Sequence, residues 1–121
     1  MENLKVIVAG SRKFDNYKYL KNRLDSILNE VIVSYDIIIV SGTARGVDTL
    51  GEKYAEERGL GVKRYPADWD KYGKSAGYRR NVEMAENADV LVAFWDGSSK
   101  GTKHMIDIAQ KKGLIVRVIN F

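Results

Sequence analysis

The chain has 121 residues, a formal net charge of +4, 45% hydrophobic residues and no cysteine. This length predicts one domain spanning residues 1–121 that buries its core without disulfides or metals. The lack of cysteine excludes disulfides, a thiolate nucleophile and cysteine metal ligands, and suits a cytoplasmic protein. The basic excess favours anionic partners such as phosphates, nucleotides or nucleic acid.

The first predicted strand is the apolar run 4–9, which begins too near the amino terminus to leave room for a signal peptide. The next segment predicts a helix that Asp15 or Asn16 can cap. Its apolar residues recur at helical spacing and form one stripe: Tyr17, Leu20, Leu24, Ile27, Leu28 and Val31. A second buried strand is predicted at residues 37–40.

A second helix is predicted from about residue 47 to 58, with Gly59 as its stop. The third strand, 62–65, alternates polar and apolar residues, which is typical of a sheet edge. Residues 66–74 form the longest predicted loop, followed by a helix from near Ser75 to around Asn87. A fourth strand at 90–95, a helix from near Thr102 to Gly113, and a fifth strand at 114–119 complete the chain.

This alternation predicts an α/β fold: a Rossmann-like, three-layer, doubly wound parallel sheet of five strands. Right-handed crossovers leave few topologies, and the edge character of the third strand favours the order 3-2-1-4-5. That order reverses between strands 1 and 4, so we expect a crevice at their carboxyl ends. No apolar run is long enough to cross a bilayer, and no membrane association is expected.

The segments after strands 1, 2 and 4 are rich in small polar residues, and the fold brings all three to one edge of the sheet. Glycine marks any tight turn, but it also lets backbone N–H groups approach a ligand closely. Helix N-termini and arginine side chains favour phosphate there. The sequence therefore predicts an anion site lined by Gly10, Ser11, Arg12, Gly42, Arg45, Gly46, Asp48, Arg80, Asn81, Gly97, Ser98, Gly101 and Thr102.

Individual side chains have predicted roles. Asp48 either orients Arg45 or accepts a ribose hydroxyl. Arg80 is expected to face the crevice and Arg79 the solvent, because adjacent helical residues point about 100° apart. Trp69 and Tyr72 can stack on a base or anchor their loop, and the second use is favoured. The only histidine, His104, is interpreted as solvated or locally bonded.

Several well-known motifs are absent. The segment 97–103 lacks the Gly-Lys-Ser/Thr ending of a P-loop, and the loop after strand 1 lacks the G-x-G-x-x-G pattern. No His/Asp/Glu cluster has metal-ligand spacing, and Gly-x-Ser-x-Gly is missing. We therefore expect no metal and no required cofactor.

The chain resembles the SLOG superfamily, which groups DprA/Smf proteins with LOG nucleotide phosphoribohydrolases, and especially its YspA/YpsA-related branch of bacterial and phage proteins. The segments that carry the resemblance are 10–14, 41–48, 65–69, 76–81, 88–89 and 94–102. It implies a Rossmann-like fold and a nucleotide-type ligand, and LOG relatives suggest a homodimer. Arg80 and Met84 match an Arg and Met pair of LOG enzymes. Met105 stands where their Gly-Gly-x-Gly-Thr-x-x-Glu segment has its glutamate.

Three functions remain open at this point. The first is a sensor or carrier module for NAD, ADP-ribose or a nucleoside monophosphate. The second is a nucleotide N-glycosidic hydrolase, for which Asp48 and Asp96 are the candidate catalytic carboxylates and Asp107 a further one. The third is a DprA-like DNA-binding protein, which is less favoured because basic residues are not gathered in one recognition element.

Overall fold

The computed structural model describes all 121 residues. Its strands are β1 (Asn3–Gly10), β2 (Asp36–Ser41), β3 (Gly61–Arg64), β4 (Val90–Trp95) and β5 (Ile115–Asn120). Its α-helices are α1 (Tyr17–Leu28), α2 (Val47–Arg58), α3 (Trp69–Tyr72), α4 (Ala76–Glu86) and α5 (Lys100–Lys111). Two 3₁₀ turns cover Val31–Val33 and Gly73–Ser75.

The five strands form one parallel sheet in the order β3-β2-β1-β4-β5, which confirms the predicted fold class and strand order. β1 lies at the centre, and its last residue, Gly10, pairs with Phe94 of β4. The chain leaves β1 towards one side of the sheet and enters β4 on the other. The carboxyl ends of β1 and β4 therefore frame the expected crevice.

Alternate residues of each central strand enter two separate cores. Val6 and Val8 of β1 pack under α1 and α2, with Leu20, Leu24 and Tyr54 buried beside them. Ile7 of β1 faces the opposite side, where α4 and α5 contribute Met84 and Met105. The near-continuous apolar strands are explained by this double burial, as in other parallel sheets.

The first helix is shorter than its apolar stripe predicts. Asn16 caps it by accepting a hydrogen bond from the Tyr19 N–H at 3.1 Å, and the helix ends at Leu28. Val31 lies in the following 3₁₀ turn, yet it still packs against the core. The α-helical hydrogen bonds end with the Asn29 N–H, which donates to Asp25 O at 2.9 Å, and the 3₁₀ turn then leads to β2, where the Asp36 N–H donates to Glu2 O at 2.9 Å.

The prediction of a loop over residues 66–74 is wrong in part, because this segment contains α3 and the start of a 3₁₀ turn. The Asp68 side chain caps α3 by accepting from the Lys71 N–H at 3.1 Å. Gly73, with a φ of +57°, ends the helix. A helix of four residues is too short to show periodicity in sequence. Similarly, α5 begins at Lys100, before the expected start, because Ser99 caps it.

No helix combines the length and apolar character needed to cross a lipid bilayer.

Candidate functional site

A cavity of about 510 Å³ opens at the carboxyl ends of β1 and β4. The loops after β1, β2 and β4 form one part of its wall, and the rest comes from the start of α2, the second 3₁₀ turn, α3, α4 and α5. Ten of the predicted ligand-binding and catalytic residues line it: Gly10, Ser11, Arg12, Asp48, Arg80, Asn81, Asp96, Ser98, Gly101 and Thr102. The fold therefore gathers residues from four distant parts of the chain into one concave site.

Four other predicted residues do not line the cavity. Gly42 lies directly behind it, because its carbonyl oxygen accepts a hydrogen bond from Arg80 Nη1. Gly46 and Gly97 form turns with φ of +74° and +86°. Arg45 is exposed, since the chain turns sharply at the following glycine. Asp48 therefore does not orient Arg45, contrary to one of the two roles predicted for this carboxyl group.

Two glycines let the loops pack closely together. A Cβ at Gly10 would overlap the carbonyl oxygen of Phe94, and one at Gly46 would overlap the carbonyl oxygen of Ser11. The backbone of Ser11 also joins neighbouring elements, since its N–H donates to Phe94 O and its carbonyl accepts from Val47 N–H, both at 3.2 Å. This part of the cavity wall is therefore built from tightly packed backbone.

Asp48 is the buried carboxyl of the site, with 5% of its surface exposed. Its Oδ2 accepts a hydrogen bond from the Ala44 N–H at 3.1 Å. Burial raises the pKa of Asp48 to about 6, although this hydrogen bond and the nearby Arg80 and Arg12 oppose the shift. Asp48 therefore changes protonation state close to neutral pH.

Arg80 is partly buried and lines the cavity, whereas Arg79 does not. Arg80 donates through Nη1 to the Gly42 carbonyl and through Nε to Asn81 Oδ1 at 3.0 Å. Burial lowers its pKa from the ordinary value, and Asp48 counteracts this. Arg79 is exposed: its Nε donates to Ser75 Oγ at 3.1 Å and its guanidinium lies 4.4 Å from the ring centroid of Tyr72.

Asn81 links α4 to the start of α5. Its Nδ2 lies 3.4 Å from the Gly101 carbonyl oxygen and 3.2 Å from His104 Nδ1. The His104 ring also packs against Tyr78, with 4.5 Å between centroids. Burial lowers the pKa of His104, which favours the neutral ring with Nδ1 as acceptor. His104 is therefore locally bonded.

Asp96 is occupied in shaping the loop before α5. Its Oδ1 accepts from the N–H groups of Ser98 at 2.9 Å and Ser99 at 2.8 Å, and these bonds hold its pKa below the ordinary value. Ser99 in turn caps α5. The first N–H groups of a helix have no intrahelical partner, so those of Lys100 and Gly101 are suited to an anion.

Ten further lining residues were not among the predicted ligand-binding and catalytic residues: Ala9, Lys13, Ala44, Trp69, Lys74, Gly77, Tyr78, Met84, Ser99 and Met105. Lys13 directly follows the predicted Arg12, and Lys74 lies two residues before the helix that carries Arg80, so proximity in sequence was the available signal for both. With both lysines, the cavity has four cationic side chains against the two carboxyl groups of Asp48 and Asp96. The site is therefore electropositive.

Comparison of the sequence with known proteins shows which family the chain belongs to. The chain matches the sequence profile described as "YspA, cpYpsA-related SLOG family" over residues 4–72. It belongs to this family. The Gene 61 protein of Mycobacterium phage D29 is 38% identical over 124 residues, covering 97% of this chain and 95% of that protein. A phage protein of nearly the same length is thus a relative of this SLOG chain.

Solved structures show the same fold at low sequence identity. DprA from Streptococcus pneumoniae aligns with a TM-score of 0.75 and 19% identity over 99% of this chain and 51% of that one. DprA from Helicobacter pylori gives 0.64 and 22% over 95% and 64%, and TM1055 gives 0.64 and 20% over 96% and 72%. The SLOG chain spans about half the length of the S. pneumoniae protein.

Proposed function

We propose that this SLOG chain binds a nucleotide or nucleotide-derived phosphate ligand in the cavity between β1 and β4. The observation that carries the proposal is the convergence of the α5 N-terminus with four cationic side chains in one concave site of about 510 Å³. Ligand cavities are usually about 300–1,000 Å³. NAD, ADP-ribose and nucleoside monophosphates are the candidate ligands, and binding requires no additional cofactor.

The phosphate would sit at the start of α5. A helix N-terminus favours anions through its free N–H groups and its dipole. Gly101 leaves this approach open, because a Cβ built there meets no atom within 4 Å. Arg12 and Arg80 line the same cavity and can donate charge-assisted hydrogen bonds to phosphate oxygens.

A thermal-shift panel tests this proposal. Nucleoside mono- and diphosphates, NAD and ADP-ribose are added separately, and a ligand at 100 times its dissociation constant should stabilise the protein by about 2.7 kcal/mol. The Arg80→Ala variant should lose most of the shift, whereas Arg79→Ala should keep it. If no member of the panel raises the melting temperature at millimolar concentration, the proposal fails.

The position of Asp48 favours a second candidate, cleavage of an N-glycosidic bond in the bound nucleotide. A carboxyl group with a pKa of about 6 can stabilise a developing sugar cation or move a proton near neutral pH. Asp96 is less suitable, because its Oδ1 already accepts two backbone hydrogen bonds. Release of free base, measured by chromatography, tests this candidate.

DNA binding is the third candidate. One structural neighbour is described by its single-stranded DNA binding mode, namely DprA from Helicobacter pylori. Arg12, Lys13 and Lys74 of this chain are exposed cations around its cavity. A filter-binding titration in physiological salt should nevertheless give only non-specific affinity, about 10⁻⁴–10⁻⁶ M. A nanomolar constant for an oligonucleotide would place DNA ahead of a small nucleotide.

A further inference from the structure

Trp69 stands at the edge of the cavity with half of its surface exposed. Its relative exposure is 50%, and it is among the residues that line the cavity. A single exposed apolar side chain is common on protein surfaces and has no meaning by itself. The position and the surroundings of this ring distinguish it from such a side chain.

The indole is held in a defined place. Trp69 is the first residue of α3, which the Asp68 side chain caps. A Cβ built on Gly77 would lie 3.4 Å from Trp69 Cη2 and 3.9 Å from Cζ2. The indole therefore lies against the first turn of α4 where that turn has no side chain. The lack of a side chain at Gly77 leaves room for the indole beside the helix.

The aromatic faces of Trp69 are unoccupied by other aromatic or cationic groups. None of the ring pairs in the structure includes Trp69, and no lysine or arginine lies over it. Tyr72 on the same helix is different: Arg79 and Lys71 lie 4.4 and 5.1 Å from its ring centroid. Within α3, Trp69 is thus the ring that no lysine or arginine covers, and half of its surface is exposed.

The free ring is close to the cation proposed to bind phosphate. The Cβ position of Gly77 lies 3.9 Å from Arg80 Nη2 as well as 3.4 Å from the indole. One bound nucleotide can therefore contact both groups, with its planar base on the indole and its phosphate near the guanidinium.

We infer that Trp69 is a base-stacking subsite, which selects ligands that join a planar nucleobase to a phosphate. The inference rests on the proposed phosphate-binding function and deepens it. Stacking on an aromatic side chain tolerates every base, because each has a π-face. The subsite therefore predicts discrimination between nucleotides and base-free sugar phosphates, with little discrimination among bases.

Calorimetric titrations with AMP, GMP, CMP, UMP and ribose 5-phosphate test the inference. The proteins are the wild type, Trp69→Ala, Trp69→Phe and the matched control Tyr72→Ala, which alters an exposed ring of the same helix outside the cavity. Trp69→Ala should weaken nucleotide binding roughly 5- to 140-fold and leave ribose 5-phosphate affinity unchanged. Trp69→Phe should retain most of the affinity, and Tyr72→Ala should match the wild type.

Fluorescence gives a second readout, because the chain has two tryptophans. Trp95 donates through Nε1 to the Ser99 carbonyl at 3.1 Å and does not line the cavity. Nucleotides should quench the wild type, ribose 5-phosphate should not, and Trp69→Phe should lose the quenching.

The outcomes separate the two proposals. If ribose 5-phosphate binds and the nucleotides bind no more tightly, the stacking subsite is wrong while the phosphate site stands. If Trp69→Ala weakens all five ligands equally, Trp69 is a structural anchor and the inference is also overturned. If no ligand binds the wild type, the proposed function fails and the subsite fails with it.

Discussion

Asp48 and Arg80 both lie against the α-carbon of Gly42. A Cβ at this glycine would approach Arg80 Nη1 to 2.7 Å and Asp48 Oδ2 to 2.8 Å. The two charged groups are nevertheless not joined as an ion pair. The glycine thus leaves the space that the ends of both side chains occupy.

Gly42→Ala should therefore weaken nucleotide binding. The added methyl group would collide with Arg80 Nη1 and with Oδ2 of the buried Asp48, so it should both move the guanidinium from the proposed phosphate position and lower the free energy of unfolding. Calorimetry with the best ligand and a urea titration measure the two effects. Gly61→Ala is the control, because its Cβ would only touch Ile38 Cγ1 at 3.4 Å, outside the cavity. Equal affinities for the two variants would contradict this explanation.

The neighbouring arginines should respond differently to truncation. Arg80→Ala should reduce ligand binding by roughly 1.5–3 kcal/mol, because it removes a charge-assisted hydrogen bond to phosphate. Arg79→Ala should leave affinity unchanged, since that side chain bonds Ser75 and lies over Tyr72 outside the cavity. Calorimetry on the two variants makes the comparison. An equal or larger loss for Arg79→Ala would show that the phosphate lies elsewhere.

The protonation of Asp48 should make stability depend on pH. Its pKa is raised to about 6, above the value of about 4 expected in the unfolded chain. The folded state therefore binds the proton more tightly. The contribution of the protonated Asp48 to the free energy of unfolding is fully present below pH about 4. It is lost as the pH rises through about 6. At neutral pH, the buried charge costs about 3 kcal/mol at most.

Asp48→Asn should remove this cost. The variant should be similar to the wild type near pH 4 and more stable above pH 7, by up to about 3 kcal/mol. Urea unfolding of both proteins at each pH measures the difference in their free energies of unfolding. The titration of other groups largely cancels in this difference, because both proteins contain them. A difference that does not change with pH would show that Asp48 is ionised normally in the folded protein.

We expect the bound nucleotide not to be hydrolysed at an enzyme-like rate. Met105, which the resemblance aligns with the glutamate of LOG enzymes, lines the cavity with a thioether that can neither carry charge nor move a proton. Asp107 cannot replace it, because it is exposed and its Oδ2 pairs with Lys103 Nζ at 2.8 Å. Chromatography of free base checks this, and turnover near 1 s⁻¹ would contradict it. Loss of such turnover in Asp48→Asn would then identify the carboxylate.

Sequence reasoning predicted the fold well because buried parallel strands leave long apolar runs. Residues 90–95 illustrate this, since the predicted strand and β4 coincide. The short helix α3 was missed, because four residues cannot display helical periodicity. Its one local signal was Asp68, an N-cap residue placed directly before it.

The sequence predicted the binding residues that directly end or follow a strand. It could not predict those whose contribution depends on the direction of the side chain. Gly10 is the last residue of β1, Ser11 and Arg12 follow it directly, and all three line the cavity as predicted. Arg45 belongs to an equally polar loop, but the turn at Gly46 leaves it exposed. Sequence spacing contains no information about that turn beyond the glycine itself.

The close backbone packing at Gly10 and Gly46 gives the two parts of the site, the loops and the helical wall, a different tolerance to substitution. Any larger residue at these positions would collide with the main-chain carbonyl oxygens of Phe94 and Ser11. Trp69, Lys74 and Tyr78, by contrast, extend from exposed helical surfaces and can be exchanged without disturbing the sheet. A lineage with this architecture can therefore acquire a new ligand by altering the helical wall alone, while the loops after β1 and β2 stay constant.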